Sequence, residues 1–112
     1  MIKNRGKNTV VSEKSKKCET FLSQFRGLMF ARKPETLIFV FKKPRIVKLH
    51  MFFVFFPIDI LVLDEKKKVL EIKEHFRPCT WFTSSVKGSY CIECPVGSID
   101  RGRVWVGDVL EF

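Results

Sequence analysis

Two blocks of the chain, residues 36–41 and 46–56, are dominated by β-branched, aromatic and long aliphatic residues, the composition of strands rather than helices. The second block ends in His50-Met-Phe-Phe-Val-Phe-Phe56. That run has no apolar/polar alternation, so both faces of its strand are expected to be covered. Pro44 separates the blocks and Pro57 closes the second, each removing a ladder donor. Beyond Pro57, residues 58–63 continue as a strand. Asp64-Glu-Lys-Lys-Lys68 reads as a charged hairpin turn into a strand over residues 69–76, residues 90–94 form another, and 109–112 a last one. Residues 8–11 supply a short first strand, and the basic residues 1–7 before it are expected to fray. One helix is predicted, where Phe21, Leu22, Phe25, Leu28 and Met29 recur at helical spacing behind Thr20 as the cap; Gly27 weakens its last turn. Six to eight short strands around one amphipathic helix predict an α+β fold, predominantly β: a curled antiparallel sheet or partly closed small β-barrel with one or two short helices.

The longest apolar stretch, residues 49–63, is shorter than the roughly 20 residues that span a bilayer and contains Pro57 and Asp59. The first residues carry no apolar signal core, so a cytoplasmic protein without membrane partners is expected. At 112 residues, 46% hydrophobic and 29% charged, the chain is sized for a single domain, 1–112, with its own core. Its amide side chains are only Asn4, Asn8 and Gln24, a scarcity found in thermophilic proteins. The net charge of +9 is concentrated in residues 1–17 and 32–48, each +5. Such segments either keep the protein in solution or attract a polyanion. The polyanion-binding candidates are Lys14, Lys16, Lys17, Arg32, Lys33, Lys42, Lys43, Arg45 and Lys48.

Five motifs in order, Arg26-Gly-Leu-Met-Phe30, Thr36-Leu-Ile-Phe-Val-Phe41, His50-Met51 with Phe56-Pro-Ile-Asp-Ile60, Glu93-Cys-Pro-Val-Gly97 and Val106-Gly-Asp108, resemble domain of unknown function family 192 (DUF192), over about residues 20–112. The resemblance implies a small β-rich prokaryotic fold with no assigned activity. It also marks a departure: where the family usually has Trp-Met-Lys-Asn-Thr, this chain has His50-Met-Phe-Phe-Val54. A polar site at that stretch in relatives would be altered here.

Cys91-Ile-Glu-Cys94 has the spacing of a zinc or redox pair. In a strand, however, positions three apart point to opposite faces, and the resembled family usually has aliphatic residues there, so core packing is preferred. No metal or cofactor is expected. Asp59 approaches an apolar layer and must find a cation, with Arg26 a plausible partner, or backbone donors, unless it stays neutral. An ion pair or turn cap is the simpler reading, and a functional acid or base the sharper one. Glu93 is expected on a solvated strand face with Cys91, opposite Ile92 and Cys94. His50 and His75 fit no metal spacing. The Phe-rich run is read first as core and second as an apolar contact patch.

The leading expectation is a non-enzymatic binding domain, with Arg26, Met51, Asp59 and Glu93 as ligand-binding candidates for a small molecule or protein partner. Its alternatives are binding of nucleic acid or another polyanion through the basic segments, and a hydrolase using Asp59 and Glu93.

Overall fold

The structure is a computed structural model that describes residues 1–19, 35–50, 55–78 and 80–112, with only the backbone of His50. Among these, eight strands and one short helix form: β1 (Ile2–Asn4), β2 (Thr9–Ser12), β3 (Lys16–Cys18), β4 (Leu37–His50), β5 (Ile58–Leu63), β6 (Val69–Phe76), β7 (Trp81–Pro95), α1 (Ser98–Arg101) and β8 (Leu110–Glu111). They make a five-stranded sheet, β3-β4-β7-β5-β6, and a three-stranded sheet, β2-β1-β8. The fold is predominantly β as expected, and the two sheets do not close into a barrel. The expected helix at residues 20–29 lies outside the described residues.

The five-stranded sheet is apolar on both faces. Ile58, Ile60 and Val62 of β5 join Leu37, Phe39, Phe82 and Cys91 in one buried cluster. Leu61 and Leu63 join Ile38, Ile92 and Cys94 in another, capped by Ile2, Val11, Ile99, Val104 and Leu110 of the smaller sheet and the chain around α1. All six residues of β5 are therefore buried, which explains its near-continuous apolar sequence.

Several expectations are corrected. Residues 1–7 do not simply fray: β1 is the middle strand of its sheet, with Ile2 and Asn4 fully buried. Pro44 does not end β4, because β4 bows away from β7 there, the pairing stepping from Val40↔Tyr90 to Arg45↔Gly88. A bulge is where a strand tolerates proline. β7 is also longer than residues 90–94, and β3 pairs with β4 in parallel. The turn over 64–68 forms as read, with Asp64 Oδ1 accepting from the Lys66 and Lys68 amides, both at 2.9 Å. Gly97 and Gly107 adopt φ of +93° and +99°, the left-handed region that glycine enters without strain.

Gly88 sits where a Cβ would lie 2.4 Å from Val62 Cγ1. Gly88→Ala is accordingly expected to overpack the β5–β7 contact and cost about 1–3 kcal/mol, measured by urea denaturation.

Candidate functional site

Asp59 is the second residue of β5, and its register partner is Cys94. Opposite it, β6 shifts register between the pairs Ile58↔Phe76 and Ile60↔Lys73. His75 lies in that shift with φ of +53°, and its amide is donated to Asp59 Oδ1 at 3.1 Å. Asp59 Oδ2 accepts the amides of Gly97 at 3.1 Å and Ile99 at 3.3 Å. One carboxyl group thus satisfies a bulge in β6 and the turn entering α1, and these three donors are what let a polar side chain only 1% exposed sit in the apolar layer. Its backbone carbonyl accepts from Cys94 Sγ at 3.6 Å.

Glu93 is one residue before Cys94 and has Ile60 and Leu37 as register partners. It therefore faces the cluster of Ile60 and Cys91, with Asp59 on the opposite face of the sheet. The side assigned from sequence, with Cys91, is the one observed. The expected solvation is not, because the second face is also apolar and Glu93 is only 7% exposed. Among the described residues its carboxyl has no hydrogen-bond or ion-pair partner, and burial raises its pKa to about 7. Two carboxylates on opposite faces of one sheet cannot flank a single scissile bond, so the Asp59–Glu93 hydrolase arrangement is not met. Arg26 and Met51 lie outside the described residues, as do Arg32, Lys33 and Cys79.

Cys91 and Cys94 also divide between the two apolar clusters, as expected of positions three apart in a strand. Burial pushes both thiols up, Cys94 to about 12, leaving little thiolate for metal binding or exchange. Among the basic candidates, Lys14, Lys16 and Lys17 lie in or just before β3, beside residues 37–39 of β4. Lys42, Lys43, Arg45 and Lys48 lie further along that strand. The two groups are not one continuous cluster along β4.

Sequence reasoning assigned no role to Asn4 or Lys7. Asp108 Oδ2 accepts Asn4 Nδ2 at 3.0 Å, Lys7 Nζ at 2.9 Å and the Trp105 amide at 2.9 Å. Partial desolvation opposes ionisation, but the Trp105 amide, Lys7 and Asn4 outweigh it and hold this carboxyl below its ordinary range. Asn4 Nδ2 also reaches Gly102 O and Arg103 O, at 3.1 and 3.2 Å. The amino-terminal strand is thereby locked to the chain after α1. The signal was present in Val106-Gly-Asp108, but its partners lie about a hundred residues away.

The DUF192 family model, described as "Uncharacterized ACR", matches residues 2–112. A UPF0127 protein of Thermococcus sibiricus is 32% identical over 115 residues, covering 100% of this chain and 74% of that protein. One from Thermococcus kodakarensis is 33% identical, covering 100% and 73%. Among solved structures, a protein of unknown function from Novosphingobium aromaticivorans has a TM-score of 0.80 at 24% identity, covering 88% of this chain and 74% of that one. A Sinorhizobium meliloti protein described as a candidate transcription regulator has a TM-score of 0.81 at 24% identity, covering 87% and 79%. At that identity the likeness shows the fold.

Proposed function

The chain belongs to the DUF192 family, which carries no assigned activity, and from its own geometry we propose a non-enzymatic binding domain whose recognition group is Glu93. The observation that carries this reading is a carboxyl 7% exposed, on an apolar face, without a partner among the described residues. Asp59 is different: three backbone amides occupy it, so its role is structural. Glu93 is left as a single polar point in apolar surroundings, the pattern by which binding sites orient an otherwise apolar ligand.

The chemistry of the ligand follows from what Glu93 lacks. Burial raises its pKa to about 7, and no cation among the described residues offsets it. A ligand with an apolar body and an ammonium or N–H donor would supply the missing partner. Up to about 4 kcal/mol would be recovered, from the value of about 1.4 kcal/mol per pKa unit.

Octylamine and octanol, titrated calorimetrically at pH 8, test this. The amine is expected to bind about 10- to 100-fold tighter than the alcohol, and Glu93→Gln to erase the difference. At pH 6.5, where Glu93 is mostly protonated, amine binding should also release a proton, read from the dependence of the heat on buffer ionisation. Equal affinities for amine and alcohol, or an unchanged preference in Glu93→Gln, would remove the reading.

A further inference from the structure

Residues 45–50 of β4 and 81–88 of β7 pair with each other beyond the reach of their other sheet neighbours. β3 meets β4 only at Leu37, Ile38 and Phe39, and β5 meets β7 only between Tyr90 and Pro95. This end of the sheet is thus a two-stranded ribbon among the described residues. Its inner face is fixed to the core by Val47 and Phe82, with half-buried Leu49 against them, and Phe82 stands edge-on to Phe76 at 6.1 Å. Its bulge is fixed as well: Ser84 Oγ accepts the Val47 amide at 2.8 Å and donates to Val86 O at 2.7 Å.

The outer face is different in kind. Register sets Lys48 opposite Thr83 and His50 opposite Trp81, with Lys87 opposite Ile46. Lys48, Thr83 and Lys87 are exposed, and Trp81 is 70% exposed. Where β4 bows out, Lys42, Lys43 and Arg45 are exposed too, with the Arg45 guanidinium 5.3 Å from the centre of the Phe41 ring. Residues 41–50 and 81–90 together hold five lysines and arginines and no Asp or Glu. Glu71 of β6 approaches at Ser85, whose amide and hydroxyl both donate to its Oε1, at 2.7 and 2.8 Å.

Five cations against the single carboxylate of Glu71 leave a net positive surface that attracts a phosphate chain, and each phosphate neutralised releases a counterion. A flat exposed aromatic among them adds a platform on which a nucleobase stacks. We propose that this ribbon binds single-stranded nucleic acid, with Lys42, Lys43, Arg45, Lys48 and Lys87 on the phosphates and Trp81 stacked on a base. The site is separate from Glu93, which faces the sheet's buried apolar cluster, and it does not depend on the small-ligand reading.

Fluorescence anisotropy with a labelled 20-nucleotide oligothymidine tests it. Wild type is expected to bind at 50 mM NaCl and to weaken with salt by a log–log slope of about −3, at roughly −0.7 per phosphate contacted. The double variant Lys48→Gln, Lys87→Gln should make that slope shallower by about 1.4. Trp81→Ala should weaken binding about 10-fold or more while leaving the slope unchanged, the signature of a stacked base rather than a charge contact. Lys14→Gln with Lys16→Gln, beside the other end of β4, should retain wild-type affinity and slope more nearly than the ribbon variant. All these positions are exposed, where substitution changes stability little. Absence of binding at 50 mM NaCl overturns the proposal, as does a slope or affinity indifferent to the ribbon variants. Competition by a 20-base-pair duplex or by phosphatidylglycerol vesicles as strong as that by unlabelled oligothymidine overturns it too, in favour of duplex DNA or a membrane surface.

Discussion

Glu93→Gln is expected to be more stable than the wild type above pH 7, and the gain is expected to vanish in acid. Burial raises the folded-state pKa of Glu93 to about 7, whereas an unfolded glutamate titrates near about 4.3. Below both values the residue is protonated in both states and adds no penalty. Between them the folded state holds the proton and the unfolded state has lost it, so stability falls as pH rises. Above both, the full cost of ionising a buried carboxyl with no partner among the described residues is present, about 4 kcal/mol. Glutamine removes that charge at nearly constant shape. The stability difference between variant and wild type should therefore grow by about 2–3 kcal/mol from pH 5 to pH 8, or roughly 10 °C in melting temperature. Urea denaturation of both proteins across that range measures it, and titrations unrelated to Glu93 cancel in the difference. A difference constant with pH would mean that Glu93 is solvated or paired in solution.

The parts legible in the sequence were those decided by local composition. The strand over 58–63, the turn over 64–68 and the strand over 69–76 follow from residues adjacent in the chain, and β5, the turn and β6 match them. The separation of Cys91 and Cys94 between two faces also follows from strand periodicity alone. What was not legible depends on distant partners. Nothing near Ile2 or Asn4 marks a buried central strand; that follows from Asp108 and β8 at the far end of the chain. Glu93 looked solvent-facing because alternation reports which residues share a side, not what covers that side. The ribbon was missed for a related reason. Trp81 and Lys87 stand more than thirty residues from Lys48, so the interleaving of aromatic and cation is made across a strand pair, while the Phe-rich run itself contains no cation.

Asp59→Ala is expected to be the most destabilising of the single substitutions considered. The aspartate accepts the amides of His75, Gly97 and Ile99, and without it three donors lose their acceptor together. A buried donor left unsatisfied costs about 1–3 kcal/mol. Water can reach the two partly buried amides more readily than that of Ile99, so a loss of about 3–4 kcal/mol is expected, a large share of the roughly 5–15 kcal/mol that holds a domain folded. Asp59→Asn separates shape from charge. Its single carbonyl oxygen can serve either the His75 side or the Gly97 and Ile99 side, and its NH2 group then meets a donor on the other, so about 2 kcal/mol should be lost. Urea denaturation gives both values, and amide exchange locates them: protection should fall at Gly97 and Ile99 beyond the global change, because their turn seats Ile99 in the apolar cluster against Ile2 and Val11. A fully stable Asp59→Ala protein would free this carboxylate from its capping role and return it to the set of groups available to a ligand. Losses in the order Ala then Asn would instead make the aspartate after Pro57 a fold determinant, consistent with a ligand site centred on Glu93 across the sheet.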